Sequence, residues 1–151
     1  TPLRRSSFIL NVCGDSSAGK TTALKLGACA WGEVERQIQS WDSTKNALEA
    51  LAYGSSDACL CLDELQRFLT NVGGAEVSRA IHSLAGTSGR ARLSKNATLK
   101  EIRRWKACVL SSSETPIRDL VGDSWRGGDG VRALDLKVSH DQNRPMHRRP
   151  C

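Results

Sequence analysis

The sequence predicts a three-layer α/β fold around a mostly parallel sheet of roughly five strands, and three stretches carry that expectation. In residues 8–22 the apolar, β-prone run Phe8-Ile9-Leu10-Asn11-Val12-Cys13 ends in a loop of small residues and then opens a helix. In residues 57–65 four consecutive apolar residues, Cys59 to Leu62, form the pattern of a strand buried on both faces, as a parallel sheet requires. A third run, Ala107-Cys108-Val109-Leu110, again ends in a polar stretch, Ser111-Ser112-Ser113-Glu114. At 151 residues, 39% hydrophobic and 25% charged, the chain has the composition of a single soluble domain able to bury a core.

The loop of the first stretch is chemically explicit. Gly14, Gly19, Lys20 and Thr21 satisfy G-x-x-x-x-G-K-[ST] without a gap. Without a Cβ, Gly14 and Gly19 let the backbone take unusual φ and wrap a polyphosphate. Across Gly14, Asp15, Ser16, Ser17, Ala18, Gly19, Lys20, Thr21 and Thr22 the amides and the following helix N-terminus turn partial positive charge toward the phosphates. Lys20 is placed to reach the β/γ oxygens and Thr21 to ligate Mg²⁺. This is a P-loop, so the expected core is that of a P-loop NTPase and the expected ligands are ATP and Mg²⁺. The plainer alternative is a glycine turn that only starts the helix Ala23–Trp31.

Further along, Gln37-Ile38-Gln39-Ser40-Trp41 alternates and predicts a strand. Ser43 or Thr44 then caps a helix carrying Leu48, Leu51 and Ala52 on one side, which Gly54 is expected to end in a left-handed conformation. The strand over Cys59–Leu62 is expected beside the P-loop strand and ends in Asp63-Glu64. Asp63 is assigned to the magnesium shell and Glu64 to the base that activates a water for attack on the γ-phosphate. On their own such acids often merely cap helices. Lying 43 residues after Lys20, with one strand and one helix between, they match ATPases with an additional strand better than nucleotide kinases.

Glu76–Ala85 predicts a helix with Val77, Ile81, Leu84 and Ala85 in the core, and His82 as a surface or packing residue. Residues 86–106 hold seven basic residues and one acid, with Ser94-Lys95-Asn96 as a hairpin tip. The basic 90–106 segment suits nucleic-acid phosphates, single-stranded DNA among them, or an arginine reaching a neighbour's γ-phosphate; it also suits a plain exposed hairpin. A hydroxyl at the end of the 107–110 strand is expected to face the P-loop crevice and position the lytic water, if it is not a simple polar turn. Thr115 is expected to cap a helix with Pro116 at its first position. Trp125–Gly130 predicts a glycine-rich loop before a last strand, Val131–Leu136. The expected domain is therefore 1–136, with 137–151 a disordered basic tail.

Charge is unevenly spread: residues 1–80 hold 8 Lys/Arg and 9 Asp/Glu, residues 81–151 hold 14 and 7. The second half is the expected side for an anionic partner. No apolar run approaches a membrane span and no signal peptide is visible, so no membrane association is expected. The six cysteines include no C-x-x-C pair, and His82, His140 and His147 are scattered, which argues against zinc. Small buried thiols in a reducing cytoplasm are the expectation.

Taken together, GDSSAGKTTAL at 14–24, SWDSTKNALEALA at 40–52, DACLCLDEL at 57–65, GRAR at 89–92, WKACVLSSSE at 105–114 and VRALDL at 131–136 resemble one family. It is the ATPase domain of predicted helicases and primase-helicases of phages, plasmids and integrated elements, called domain of unknown function 927. The resemblance spans roughly residues 6–136. It implies ATP hydrolysis by a helicase-like, homo-oligomeric domain in replication or mobilisation of such an element. It also implies Ser112 as a sensor and Arg126 or Arg132 as phosphate-contacting arginines near the last strand. Two other functions fit the same residues: a small-molecule kinase with the 90–106 segment as lid, and a nucleotide-binding interaction module without turnover.

Overall fold

Five short runs of β-prone residues form one sheet in the computed structural model, which describes residues 7–86, 88–89 and 102–139. The strands are β1 (Phe8–Cys13), β2 (Ile38–Ser40), β3 (Cys59–Asp63), β4 (Cys108–Ser113) and β5 (Ala133–Lys137). They lie in the order β2-β3-β4-β1-β5, and every pairing is parallel. The fold is thus the expected α/β class. One placement differs from expectation: β3 does not adjoin β1, because β4 lies between them.

Among the described residues seven helices connect the strands: α1 (Lys20–Cys29), α2 (Val34–Gln37), α3 (Lys45–Gly54), α4 (Leu65–Val72), α5 (Gly74–Ala85), α6 (Ile117–Val121) and α7 (Gly127–Gly130). Strand alternation divides them into two layers. Leu60, Leu62, Val109 and Ile9 face one side and join Leu48 and Ala52 of α3, Leu65 and Phe68 of α4, and Val77, Ile81 and Leu84 of α5. Cys61 and Leu110 face the other side, where α1 packs so closely that a Cβ on Gly27 would lie 2.7 Å from Leu110 Cδ2. The result is three layers.

Two buried tryptophans tie the larger layer to the sheet. Trp41 follows β2, donates from Nε1 to Ser111 Oγ at 2.8 Å, and sits 5.9 Å from the Phe68 ring. Trp105 precedes β4 and donates to the Leu84 carbonyl at 2.9 Å. Each buries a large apolar body while its single N–H finds an acceptor.

Several local expectations give way to longer-range bonds. Thr44 caps α3, accepting from Ala47 N at 3.3 Å, but Gly54 stays inside the helix, which ends at Ser55 with φ −99°. The left-handed residue is Asp57, with φ 64°. Pro116 is the N-cap of α6 rather than its first residue, and Thr115 does not cap it. The carboxylate of Asp135 does so from β5, accepting from Ile117 N at 3.0 and 3.1 Å. Residues 127–130 of the expected glycine loop form α7, because Asp129 accepts from Arg126 N and closes a turn. β4 continues to Ser113. β5 reaches Lys137, and Val138 N still bonds to Cys13 O at 2.8 Å, so order runs past the expected start of the tail. Residues 140–151, with His140, His147 and Cys151, lie outside the described residues.

The thiols differ in burial. Cys13 and Cys61 are buried, Cys59 and Cys108 half-buried, and Cys29 is exposed, against the expectation for the helix thiol. Cys59 and Cys61 share a face with their sulfurs 4.0 Å apart. Hydrogen bonds from the Cys108 and Cys61 thiols favour the thiolate of Cys59 and lower its pKa, whereas Cys61 and Cys108, hydrogen-bonded to it and desolvated, are raised. Among the described residues no helix is long and apolar enough to cross a membrane.

Candidate functional site

Because all five strands run the same way, their carboxyl ends open on one edge, where the loops after β1, β3 and β4 meet. A crevice of about 650 Å³ lies there. Ser16, Ser17, Gly19, Lys20, Thr21 and Thr22 line it from the P-loop and α1, Asp63 and Glu64 from the end of β3, and Ser112, Ser113 and Glu114 from the end of β4. Gln66, Arg67 and Thr70 of α4 complete the wall.

The loop's conformation explains its glycines. Gly19 sits at φ 84° immediately before α1. At Gly14 a Cβ would stand 2.0 Å from the carbonyl oxygen of Val138, so the backbone passes under the chain leaving β5 only without a side chain. Gly14 N donates to Ser113 O at 3.3 Å and Ala18 N to Asp15 O at 3.2 Å. Lys20 folds back over the loop, its ammonium donating to the carbonyls of Gly14 at 2.8 Å and Asp15 at 2.7 Å. Asp15, Gly14 and Ala18 shape the loop and are not among the residues that line the crevice.

The acidic side is equally organised. Ser112 Oγ donates to Asp63 Oδ1 and accepts from the amide of Glu64 at 3.3 Å; the same amide reaches Asp63 Oδ1 at 3.0 Å. Glu64 holds φ 64° and ψ 50°, a left-handed conformation that is uncommon for a residue with a side chain and often marks a functional position. That turn breaks the strand and starts α4. On α4, Arg67 lies 3.5 Å from Glu64 Oε2 and 3.7 Å from Asp42 Oδ2, and Asn71 donates to Asp42 at 2.9 Å. The interposed β4 is what brings Ser112 between the P-loop and Asp63. Below it, buried Asn11 of β1 donates to Ser113 Oγ at 2.8 Å and to Asp135 Oδ1 at 2.7 Å.

The structure therefore gathers Lys20, Thr21, Thr22, Asp63, Glu64 and Ser112 but not the two arginines. Arg132 directly precedes β5, at the opposite edge of the sheet, a strand length of about 16 Å from the loops. Its guanidinium donates to Gly128 O at 2.7 Å. Arg126 lines a different cleft with Lys45, Arg79 and His82. Within one chain, neither serves the crevice. Of the basic 90–106 segment, residues 90–101 lie outside the described residues; at its base Ser88 bridges Arg104 in antiparallel fashion. Sequence reasoning missed the α4 wall. Its signal was the spacing of Gln66, Arg67 and Thr70, which shares one helix face three and four residues apart.

No curated protein matches the chain. A family profile does, over residues 3–104, about two thirds of the chain. The protein belongs to the family described as Domain of unknown function (DUF927).

Proposed function

We propose that this is a Mg²⁺-dependent ATPase domain of the P-loop type, helicase-like, working as a homo-oligomer in the replication or mobilisation of a phage or mobile element. One observation carries the reading: three strand ends distant in sequence bring a P-loop lysine, two adjacent acids and a serine to one crevice. The loop amides and the N-terminus of α1 offer partial positive charge to a polyphosphate, and Lys20 adds a full one. Glu64 takes the proton of the attacking water. Ser112 bonds both Asp63 and the Glu64 amide, and so fixes the spacing of the two acids.

The residues fit magnesium. Among the described residues no group of three or more His, Cys, Asp or Glu could hold a metal unaided. Magnesium instead suits one or two protein oxygens completed by phosphates and water, and Asp63 and Thr21 supply those two. When bound, the ion neutralises charge on the β- and γ-phosphates. With Arg126 and Arg132 remote from their own crevice, any contact they make with the γ-phosphate held there comes from a neighbouring copy. Nucleic acid is the proposed partner for the basic second half, and a reducing cytoplasm the proposed location.

ATP turnover, with and without single-stranded DNA, tests the proposal. The native chain should hydrolyse ATP with magnesium and no acceptor, whereas a kinase would be nearly silent. Lys20→Ala should weaken ATP binding and remove turnover. Unchanged turnover in that variant would sink the site.

A further inference from the structure

A second cleft, of about 750 Å³, is lined by Lys45 at the start of α3, by Ala75, Ser78, Arg79, His82 and Ser83 along α5, and by Ser88, Asp123, Ser124 and Arg126. It shares no lining residue with the P-loop crevice. Four of its side chains are cationic or become so on protonation, and one is acidic.

The cleft is built rather than incidental. Asp129, fully buried, lies behind it. One carboxylate oxygen accepts from Ser78 Oγ at 3.1 Å and from Arg126 N at 2.9 Å; the other lies 2.6 Å from His82 Nε2. A buried charge is costly unless compensated by such partners. The two bonds to Oδ2 fix the backbone that carries Arg126, and the Oδ1 contact sets the His82 ring beside it. Two carboxylates already hold lining residues: Glu76 pairs with Arg79, and Glu49 accepts from Ser83 at 3.2 Å. Among the described residues, neither Lys45 nor Arg126 has a carboxylate within ion-pair range.

We propose that this cleft is a second anion site that takes a phosphate group, separate from the P-loop. Cations standing at several points around one space suit a group with several charged oxygens better than a single carboxylate. Arg126 offers a planar fork, Arg79 one that it shares with Glu76, and Lys45 a mobile point charge. Ser124 and Ser88 add hydroxyl donors at the rim. The phosphate belongs either to a small phosphorylated molecule or to the backbone of a nucleic acid, and the chemistry of recognition is the same.

The test uses the full chain with two probes, pyrophosphate by calorimetry and a fluorescein-labelled 20-nucleotide oligo-dT by anisotropy. Lys20→Ala removes the P-loop cation, so the part of the surviving pyrophosphate binding that substitutions at Lys45 or Arg79 remove reports the second cleft. Adding Lys45→Glu or Arg79→Glu should lower that remaining affinity at least tenfold. Lys45→Gln and Arg79→Gln, with wild-type circular dichroism, serve where charge reversal disturbs folding and should weaken binding in the same order. For oligo-dT, each lost contact should also reduce the salt slope by about 0.7. If oligo-dT binds and pyrophosphate displaces it, the phosphate comes from a nucleic-acid backbone. If pyrophosphate binds alone, it comes from a small molecule. Loss of all pyrophosphate binding in Lys20→Ala alone, or unchanged affinity in folded Lys45 and Arg79 variants, overturns the site. Neither result depends on whether the P-loop turns ATP over.

Discussion

At the scale of single residues, Glu64 carries the most distinct consequence. Its left-handed backbone holds the carboxylate at the crevice wall, with its amide bonded to Ser112 and Asp63 and Arg67 within 3.5 Å. In the proposed mechanism, Glu64→Gln keeps the size and the backbone bonds but removes the base. Turnover should fall by about 10²–10⁴-fold while ATP binding persists, readable by comparing phosphate release with nucleotide affinity. A chain that binds ATP without turning it over even before substitution would instead be an interaction module. Cys13 gives a second residue-scale result. Burial, then the nearby Asp135 carboxylate, raises its pKa. The folded chain therefore keeps this proton where the unfolded chain has released it. Its contribution to stability is complete below the ordinary thiol range and is lost as pH rises above about 9, by at most about 1.4 kcal/mol per pH unit. Urea unfolding at pH 8 and pH 10 should show the loss, and Cys13→Ala should reduce it.

At the scale of elements, legibility follows the range of the interaction. The turn from β1 into α1 could be read because its motif lies within nine consecutive residues, and α5 because Val77, Ile81 and Leu84 repeat at helical spacing. The Asp63 and Ser112 strand ends were legible because polar residues end apolar runs there. What escaped depends on distant partners. The order β3-β4-β1 leaves no local mark, so β4 between the two halves of the site was not foreseen. The start of α6 was expected from Thr115 because nothing near it in sequence points to Asp135, 18 residues on. The arginines were placed by resemblance, and only the parallel direction of β5 puts Arg132 at the far edge. The Asp135 cap makes a prediction at this scale. Asp135→Ala removes acceptors from both Ile117 N and Asn11 Nδ2, and should cost about 1–2 kcal/mol in chemical denaturation. Asn at this position, which keeps one oxygen, should recover part of the loss.

For the molecule as a whole, the decisive feature is that β1 has only β4 and β5 as neighbours, whereas the family match ends at residue 104. Residues 1–104 contain β1, β2 and β3 but neither strand that flanks β1. A fragment of this length should show no cooperative thermal transition, while 1–139 should melt as one unit; scanning calorimetry separates the outcomes. The same arrangement sets a timetable for synthesis. The Gly14–Thr22 loop emerges from the ribosome before its partners: Gly14 gains its bond to Ser113 after 99 further residues and its cover at Val138 after 124. Until then β1 is an apolar ribbon without a berth. Closure of the loop is thus deferred until β4 and β5 have emerged, and a holding chaperone has its longest window on Phe8–Cys13.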